Sequence, residues 1–235
     1  MTIDKNDLLN SILASISRID YVKSTDIPNI DLYMDQVTSF MEKQLKSTKR
    51  YAEDKVLTKT MINNYAKSDL LPSPHKKKYS KEHLLLLTFI YYFKNIMSMK
   101  DIETLLLPIK EKYFQSEGDI DIAAILDEVC AFEKERTLMI KEDIKTINEN
   151  SMERFANTEG EDRELLQFFS YICSLSMDVY VKKLLIEKLI DEMPTPSELA
   201  SENEEDAETE KSKDKSKAKT KEKSKDKKEK KEKSS

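Results

Sequence analysis

The stretch "LTKTMINNYAKSDLLPSPHKKKYSKEHLLLLTFIYYF", residues 57–93, decides how this chain is read. Its first part has Leu57, Met61 and Tyr65 at i, i+4 and i+8 with Ile62 beside them, which predicts a short helix, capped by Thr58 and stopped before Pro72, with one apolar face. The opposite face carries Lys59, Thr60, Asn63, Asn64 and Lys67, and is small, polar and basic. Two prolines then stiffen an exit that leads to Lys76, Lys77 and Lys78. Ser80 follows as a helix cap for the apolar run LLLLTFIYYF. Between positions 55 and 81 there are seven lysines and one acid, Asp69, inside a chain whose formal net charge is −5. Such a segment is an electrostatic footprint for a polyanion. Asn pairs in bidentate fashion with adenine and Lys reaches guanine or phosphate, so these residue types suit a DNA major groove.

Composition supports a helical reading of the rest. The 235 residues include two glycines, six prolines and no tryptophan, too few turn residues for a many-stranded sheet. The expected class is all-α, with about 190 folded residues, enough to bury roughly 70% of the surface of the unfolded chain. Apolar stripes place a first helix over Leu8, Leu9, Ile12, Leu13, Ile16 and Ile19, ended by "DIPNI", and a second from about Asp31 with Val37, Phe40, Met41 and Leu45 inward. Ser98 and Asp101 form a capping box for the helix after LLLLTFIYYF. Two longer helices, about 120–147 and 165–193, flank the polar "NTEGED".

Charge marks the other boundary. Residues 191–210 hold nine acids and no base, and residues 211–235 hold thirteen lysines against five acids. With Leu199 the last large apolar residue, nothing there offsets the entropy of ordering, and a disordered tail is expected. The expected divisions are an N-terminal helix (1–28), a basic helical domain (29–115), a C-terminal helical region (116–193) and the tail (194–235). The first 20 residues lack a basic start and a continuous apolar run, and the run at residues 84–93 is half a bilayer span. A soluble, cytoplasmic protein without membrane contact is therefore expected.

The order of parts, an entry helix, a short basic helix, a proline-stiffened lysine loop and an anchoring apolar helix, agrees with a winged helix-turn-helix. Residues 57–106 resemble the core of an uncharacterised bacterial domain family of unknown function, common in low-GC Gram-positive bacteria. More distantly they resemble the DNA-binding domain of the MerR family. Tyr65 falls on that family's last helix Tyr, "DLLPSP" on its exit, and Tyr79 and Ser80 on the end of its wing. Lys77 stands for the wing arginine, without its bidentate fork. Asn63 and Asn64 replace the usual Arg and Tyr, and the loop at residues 47–56 is longer than the usual turn. The resemblance implies a MerR-like winged helix-turn-helix, double-stranded DNA as partner and a role in transcriptional regulation. The DNA-binding set would be Lys59, Thr60, Asn63, Asn64, Lys67, Lys76, Lys77 and Lys78.

The resemblance also implies a homodimer through the helix at 120–147, whose stripe is Ile122, Ile125, Val129, Phe132, Ile140, Ile144 and Ile147. The same stripe equally suits packing within one chain against residues 165–193. The alternative function is a non-enzymatic protein-interaction scaffold that keeps this architecture without DNA binding. Acidic side chains interrupting the basic face, Glu42, Glu53 or Asp54, would favour it. No enzyme activity and no cofactor or metal are expected. Gly118 and Gly160 stand alone, His75 and His83 lack a third ligand, and Cys130 and Cys173 lie in apolar helical stretches that suit inert thiols.

Overall fold

A computed structural model describes residues 5–16, 21–116 and 118–194. Ile19 and the charged tail from 195 onward lie outside the described residues. The chain divides into two units, 1–191 and 192–235. In chain order the first unit contains α1 (Lys5–Ile16), β1 (Leu32–Tyr33), α2 (Met34–Gln44), α3 (Lys59–Lys67), β2 (Lys78–Tyr79), α4 (Lys81–Phe93), α5 (Met99–Tyr113), α6 (Ile122–Met152) and α7 (Gly160–Asp191). The class is all-α apart from a two-stranded antiparallel ladder, β1 to β2, with Leu32 opposite Tyr79 and Tyr33 opposite Lys78.

The helix starts follow local chemistry. Thr58 Oγ1 accepts the Met61 N–H at 3.2 Å and opens α3. Ser98 and Asp101 exchange side-chain and backbone bonds at 3.1 and 3.2 Å at the start of α5. Asp121 accepts from the Ala124 N–H at 2.7 Å to start α6, a cap of the same kind. At the far end of α3, Asp69 adopts a left-handed conformation (φ 58°) and the Leu71 N–H returns to the Tyr65 carbonyl at 3.0 Å. Lys110 of α5 holds that exit turn through the Asp69 carbonyl at 2.6 Å and carboxylate at 2.9 Å.

The core is built around α4. Every residue from 83 to 91 is buried, so LLLLTFIYYF is apolar on all sides because it has neighbours on all sides. It contacts α2, β2 and α6. Val37 and Met41 of α2, Leu45 just after it and Ile62 of α3 are fully buried, while Phe40, expected inward, is half-buried. Two of the polar side chains carried inward find partners: Thr88 Oγ1 donates to the Leu84 carbonyl at 2.8 Å, and the Tyr91 and Thr48 hydroxyls are hydrogen-bonded to each other. Tyr65, Tyr79 and Tyr91 are buried, whereas Tyr92 and Phe93 are half-buried. Cys130 is buried and Cys173 half-buried, both as free thiols. Among the described residues no helix is long and apolar enough to cross a membrane.

His83 is a strained point in this core. It is 3% exposed, edge-on to the rings of Tyr79 (5.5 Å) and Phe114 (4.9 Å). Its Nδ1 accepts the Ser80 N–H at 3.0 Å, which leaves the proton on a buried Nε2 that has no hydrogen-bond partner. The backbone of Pro72 and Ser73 and the carboxylates of Glu82 and Asp31 favour a second proton, but burial outweighs them and holds the imidazole below its ordinary 6.5. The unfolded chain therefore takes up the proton first. The stability His83 contributes as a neutral ring is complete above 6.5 and is lost as pH falls through the lower folded value. Thermal melts between about pH 7.5 and 5.5 are expected to fall with acidification in the wild type. In His83→Asn, which keeps an acceptor near the Nδ1 position and cannot titrate, the melts start lower but are flatter.

Candidate nucleic-acid interface

Of the eight residues singled out by the sequence, seven are exposed and Lys78 is half-buried. Helix α3 divides as its periodicity requires: Ile62 and Tyr65 turn inward, Met61 is half-buried, and Lys59, Thr60, Asn63, Asn64 and Lys67 face solvent. The amide side chains that would be needed outward are outward.

The lysine loop closes as a tight hairpin. The Lys78 N–H donates to the His75 carbonyl at 2.9 Å, His75 and Lys78 form an antiparallel bridge, and between them Lys76 and Lys77 both have positive φ, 48° and 65°. This is the mirror-image turn that suits the twist of a hairpin and normally takes Asn-Gly. Two lysines in left-handed backbone cost about 1 kcal/mol or more each, since Cβ crowds the following carbonyl. The same geometry throws both ammonium groups outward at the tip. Immediately after the tip, β2 is fastened to β1, and Lys78 lays its ammonium 5.3 Å from the centre of the Tyr33 ring.

The start of α2 connects the two basic elements. Tyr33 meets Lys78 of the hairpin, and two residues later Asp35 forms an ion pair with Lys59 at the start of α3. One end of α2 therefore lies within side-chain reach of both α3 and the hairpin, which brings Lys59 and Lys78 to the same end of the molecule. Asp35 was not among the acids expected to interrupt this face. Both partners are largely exposed, at 60% and 75%, so solvent screens the pair and leaves it easy to exchange.

The acids that were expected there are differently placed. Glu42 accepts from Lys49 Nζ at 2.6 Å and from the Val56 N–H at 3.3 Å, and the Lys49 hydrogen bond leads in holding its carboxyl below the usual range. It fastens the long loop between α2 and α3, helped by Lys94 Nζ, which donates to the Val56 carbonyl at 2.7 Å. Asp54 accepts from the Tyr51 N–H at 2.9 Å within that loop, and Glu53 is exposed. Among the described residues, Asn63, Asn64, Lys67, Lys76 and Lys77 have no side-chain hydrogen bond or ion pair within the chain. Sequence reasoning missed Asp35 and Tyr33, whose roles depend on a strand pairing over more than forty residues that no local pattern signals.

No curated protein and no solved structure matches the chain. Residues 22–129, which include α2, α3, the lysine hairpin, α4, α5 and the start of α6, match a family model described as "Domain of unknown function (DUF1836)".

Proposed function

We propose that this protein binds double-stranded DNA through a MerR-like winged helix-turn-helix, in the service of transcriptional regulation. In this reading α2 and α3 are the helix-turn-helix, and the hairpin from His75 to Tyr79 is the wing. The observation that carries it is the pair of contacts at the start of α2, Tyr33 with Lys78 and Asp35 with Lys59, which brings the first residue of α3 and the base of the wing to the same end of that helix. Lys59, Thr60, Asn63, Asn64 and Lys67 then enter or line the major groove, and Lys76, Lys77 and Lys78 hold the adjacent phosphates. The strained turn supports the same reading. A loop kept for solubility alone has no need of lysine at two left-handed positions that glycine and asparagine occupy more easily.

The C-terminal helices supply a second copy. The stripe expected to form the dimer contact on α6 is divided: Ile122 is buried and Ile125, Ile144 and Ile147 are half-buried, while Val129 and Phe132 are 47% and 61% exposed. A longer apolar stripe lies on α7, where Leu165, Phe168, Phe169, Ile172, Val179 and Tyr180 share one helical face and are 46–66% exposed. With about half of roughly 150–200 Å² open on each, that stripe alone presents on the order of 500 Å² of apolar surface. This is at the upper end of what a monomer leaves uncovered and approaches the ~800 Å² per partner of a stable dimer. A second copy, which presents the same heptad-spaced stripe, fits it. The scaffold reading draws on this same surface, with a different protein as its occupant.

Fluorescence anisotropy on DNA selected from a random pool tests the interface. Replacing Lys76, Lys77 and Lys78 together with Ala weakens binding to all sequences by about ten- to a hundredfold near 0.1 M salt and lowers the salt slope by roughly 2–3. Asn63→Ala instead changes the preference between sequences. Equal affinity and slope in the triple variant would remove the hairpin from the mechanism.

The paired change Lys76→Asn with Lys77→Gly relieves the left-handed strain. It is expected to raise stability by about 1 kcal/mol while weakening DNA binding. Light scattering after size exclusion should report a dimer for the wild type. Phe168→Glu with Phe169→Glu should give a monomer of unchanged helicity, and a wild-type monomer at tens of micromolar would exclude the contact.

A further inference from the structure

A cavity of about 350 Å³ opens on the side of the molecule where α4, α6 and the segment following Tyr21 meet. From α4 it takes Phe89, Tyr92 and Phe93, from α6 Leu126 and Glu133, and Tyr21 closes one side. Its size falls within the range of roughly 300–1,000 Å³ usual for small-molecule sites. Four of the lining side chains are aromatic, and the rings are held by one another: Tyr21 is edge-on to Tyr92 at 5.7 Å, and Phe89 stacks on Phe93 at 5.9 Å.

The wall is fixed before any ligand arrives. The Val22 N–H donates to the Tyr92 hydroxyl at 3.2 Å, and the Cys130 thiol donates to the Val22 carbonyl at 3.9 Å. One turn on, Ser24 binds Asp127 of α6, its backbone N–H donating to the carboxylate at 2.9 Å and its hydroxyl donating as well. The segment after Tyr21 is thus fastened to both helices, and the cavity between them is a property of the fold.

Among the described residues that line it, Glu133 is the charged one, at the end of the α6 face that also carries Leu126, Val129 and Cys130. Among the described residues its carboxylate has no hydrogen-bond or ion-pair partner. Its charge is felt inside the cavity, since burial first and then Glu133 push the Tyr21 phenol above its ordinary 10.0. Aromatic rings accept a cation on their faces, and a carboxylate at the rim of the same space attracts one. A neutral hydrocarbon would satisfy the rings but would take water from the half-buried carboxylate and give nothing in return. An anion would oppose both. A cation with apolar substituents satisfies rings and carboxylate together.

We propose that this cavity is a binding site for a small organic cation, an alkyl- or aryl-substituted ammonium, held by the Tyr21, Phe89, Tyr92 and Phe93 rings with Glu133 as its counter-ion. The site is separate from the basic face of α3 and the lysine hairpin, and stands or falls independently of DNA binding.

Isothermal titration of the full chain with benzyltrimethylammonium tests it. The expected result is saturable binding of one cation per chain, with affinity reduced about tenfold or more in Glu133→Gln. Neopentylbenzene, in which carbon replaces the charged nitrogen at the same shape, should bind at least tenfold more weakly than the cation. Val129→Trp, a filler at a half-exposed lining position, should abolish binding. If the Glu133→Gln melt shifts, the filler variant and the neutral isostere carry the test. No saturable heat up to about 10 mM, equal affinity in a normally folded Glu133→Gln variant, undiminished binding by Val129→Trp, or a neutral isostere as tight as the cation would each overturn the proposal.

Discussion

The unbroken burial of α4 constrains everything else in the first unit. A helix with nine consecutive buried residues must be enclosed, and each large apolar side chain in it contributes about 1.5–3 kcal/mol only when every side has a neighbour. The neighbours come from both directions along the chain, α2 and β2 on one side and α6 on the other. The hairpin is therefore seated on the core rather than appended to it: Tyr79, the residue that ends β2, is 3% exposed and lies against His83 of α4. The short basic helix is held likewise through Ile62 and Tyr65, and its exit turn through Lys110. Positioning of the proposed DNA-contacting side chains is thus a consequence of core packing and needs no large interface of its own.

The polar edges of α4 perform a second task. Tyr91 binds Thr48 and Lys94 binds the Val56 carbonyl, so the C-terminal end of the helix closes the long loop between α2 and α3. Tyr92, its phenol pushed up to about 12 by burial, receives the Val22 N–H and ties the N-terminal segment to the same turn. One helix end thereby fixes the loop that orients the proposed recognition helix and the wall of the aromatic cavity.

Much of this was legible in the sequence because it is local. The caps at Thr58 and at Ser98 with Asp101, the inward face of α3 and the helical character of LLLLTFIYYF all follow from spacing over a few residues. What could not be read depends on distant partners. The β1–β2 ladder pairs two-residue strands that carry no alternation to detect. The ion pair of Lys59 with Asp35 exists because that ladder sets the start of α2 beside α3. The left-handed turn at Lys76 and Lys77 runs against the residue preferences from which turns are recognised, so "HKKK" by itself reads as a charged loop, and its place on a wing is expected from the order of parts and the resemblance, not from turn chemistry. The apolar face of α7 shows in the sequence as a helix, but only the packed fold reveals that α6 leaves it open. The aromatic cavity needs three separate segments in contact and has no linear signature.

The partners of the lysines in the first unit separate those that hold the fold from those left available to a partner. Lys94 and Lys110 donate to backbone carbonyls, Lys49 is matched by Glu42, and these three side chains serve the fold. Lys59 and Lys78 are intermediate, each resting on a group at the start of α2 that is weak enough to give it up: an exposed carboxylate for one, a ring face for the other. Lys67, Lys76 and Lys77 have no ion-pair partner among the described residues; Lys67 suits the last turn of α3, whereas Lys76 and Lys77 sit where neither packing nor backbone preference asks for lysine. A surface selected only for solubility would be expected to relax the two left-handed positions toward asparagine or glycine, since that change stabilises the chain and leaves it soluble. Lysine at these two positions therefore carries a conformational cost that solubility alone does not require, and an anionic partner of the kind proposed would offset it.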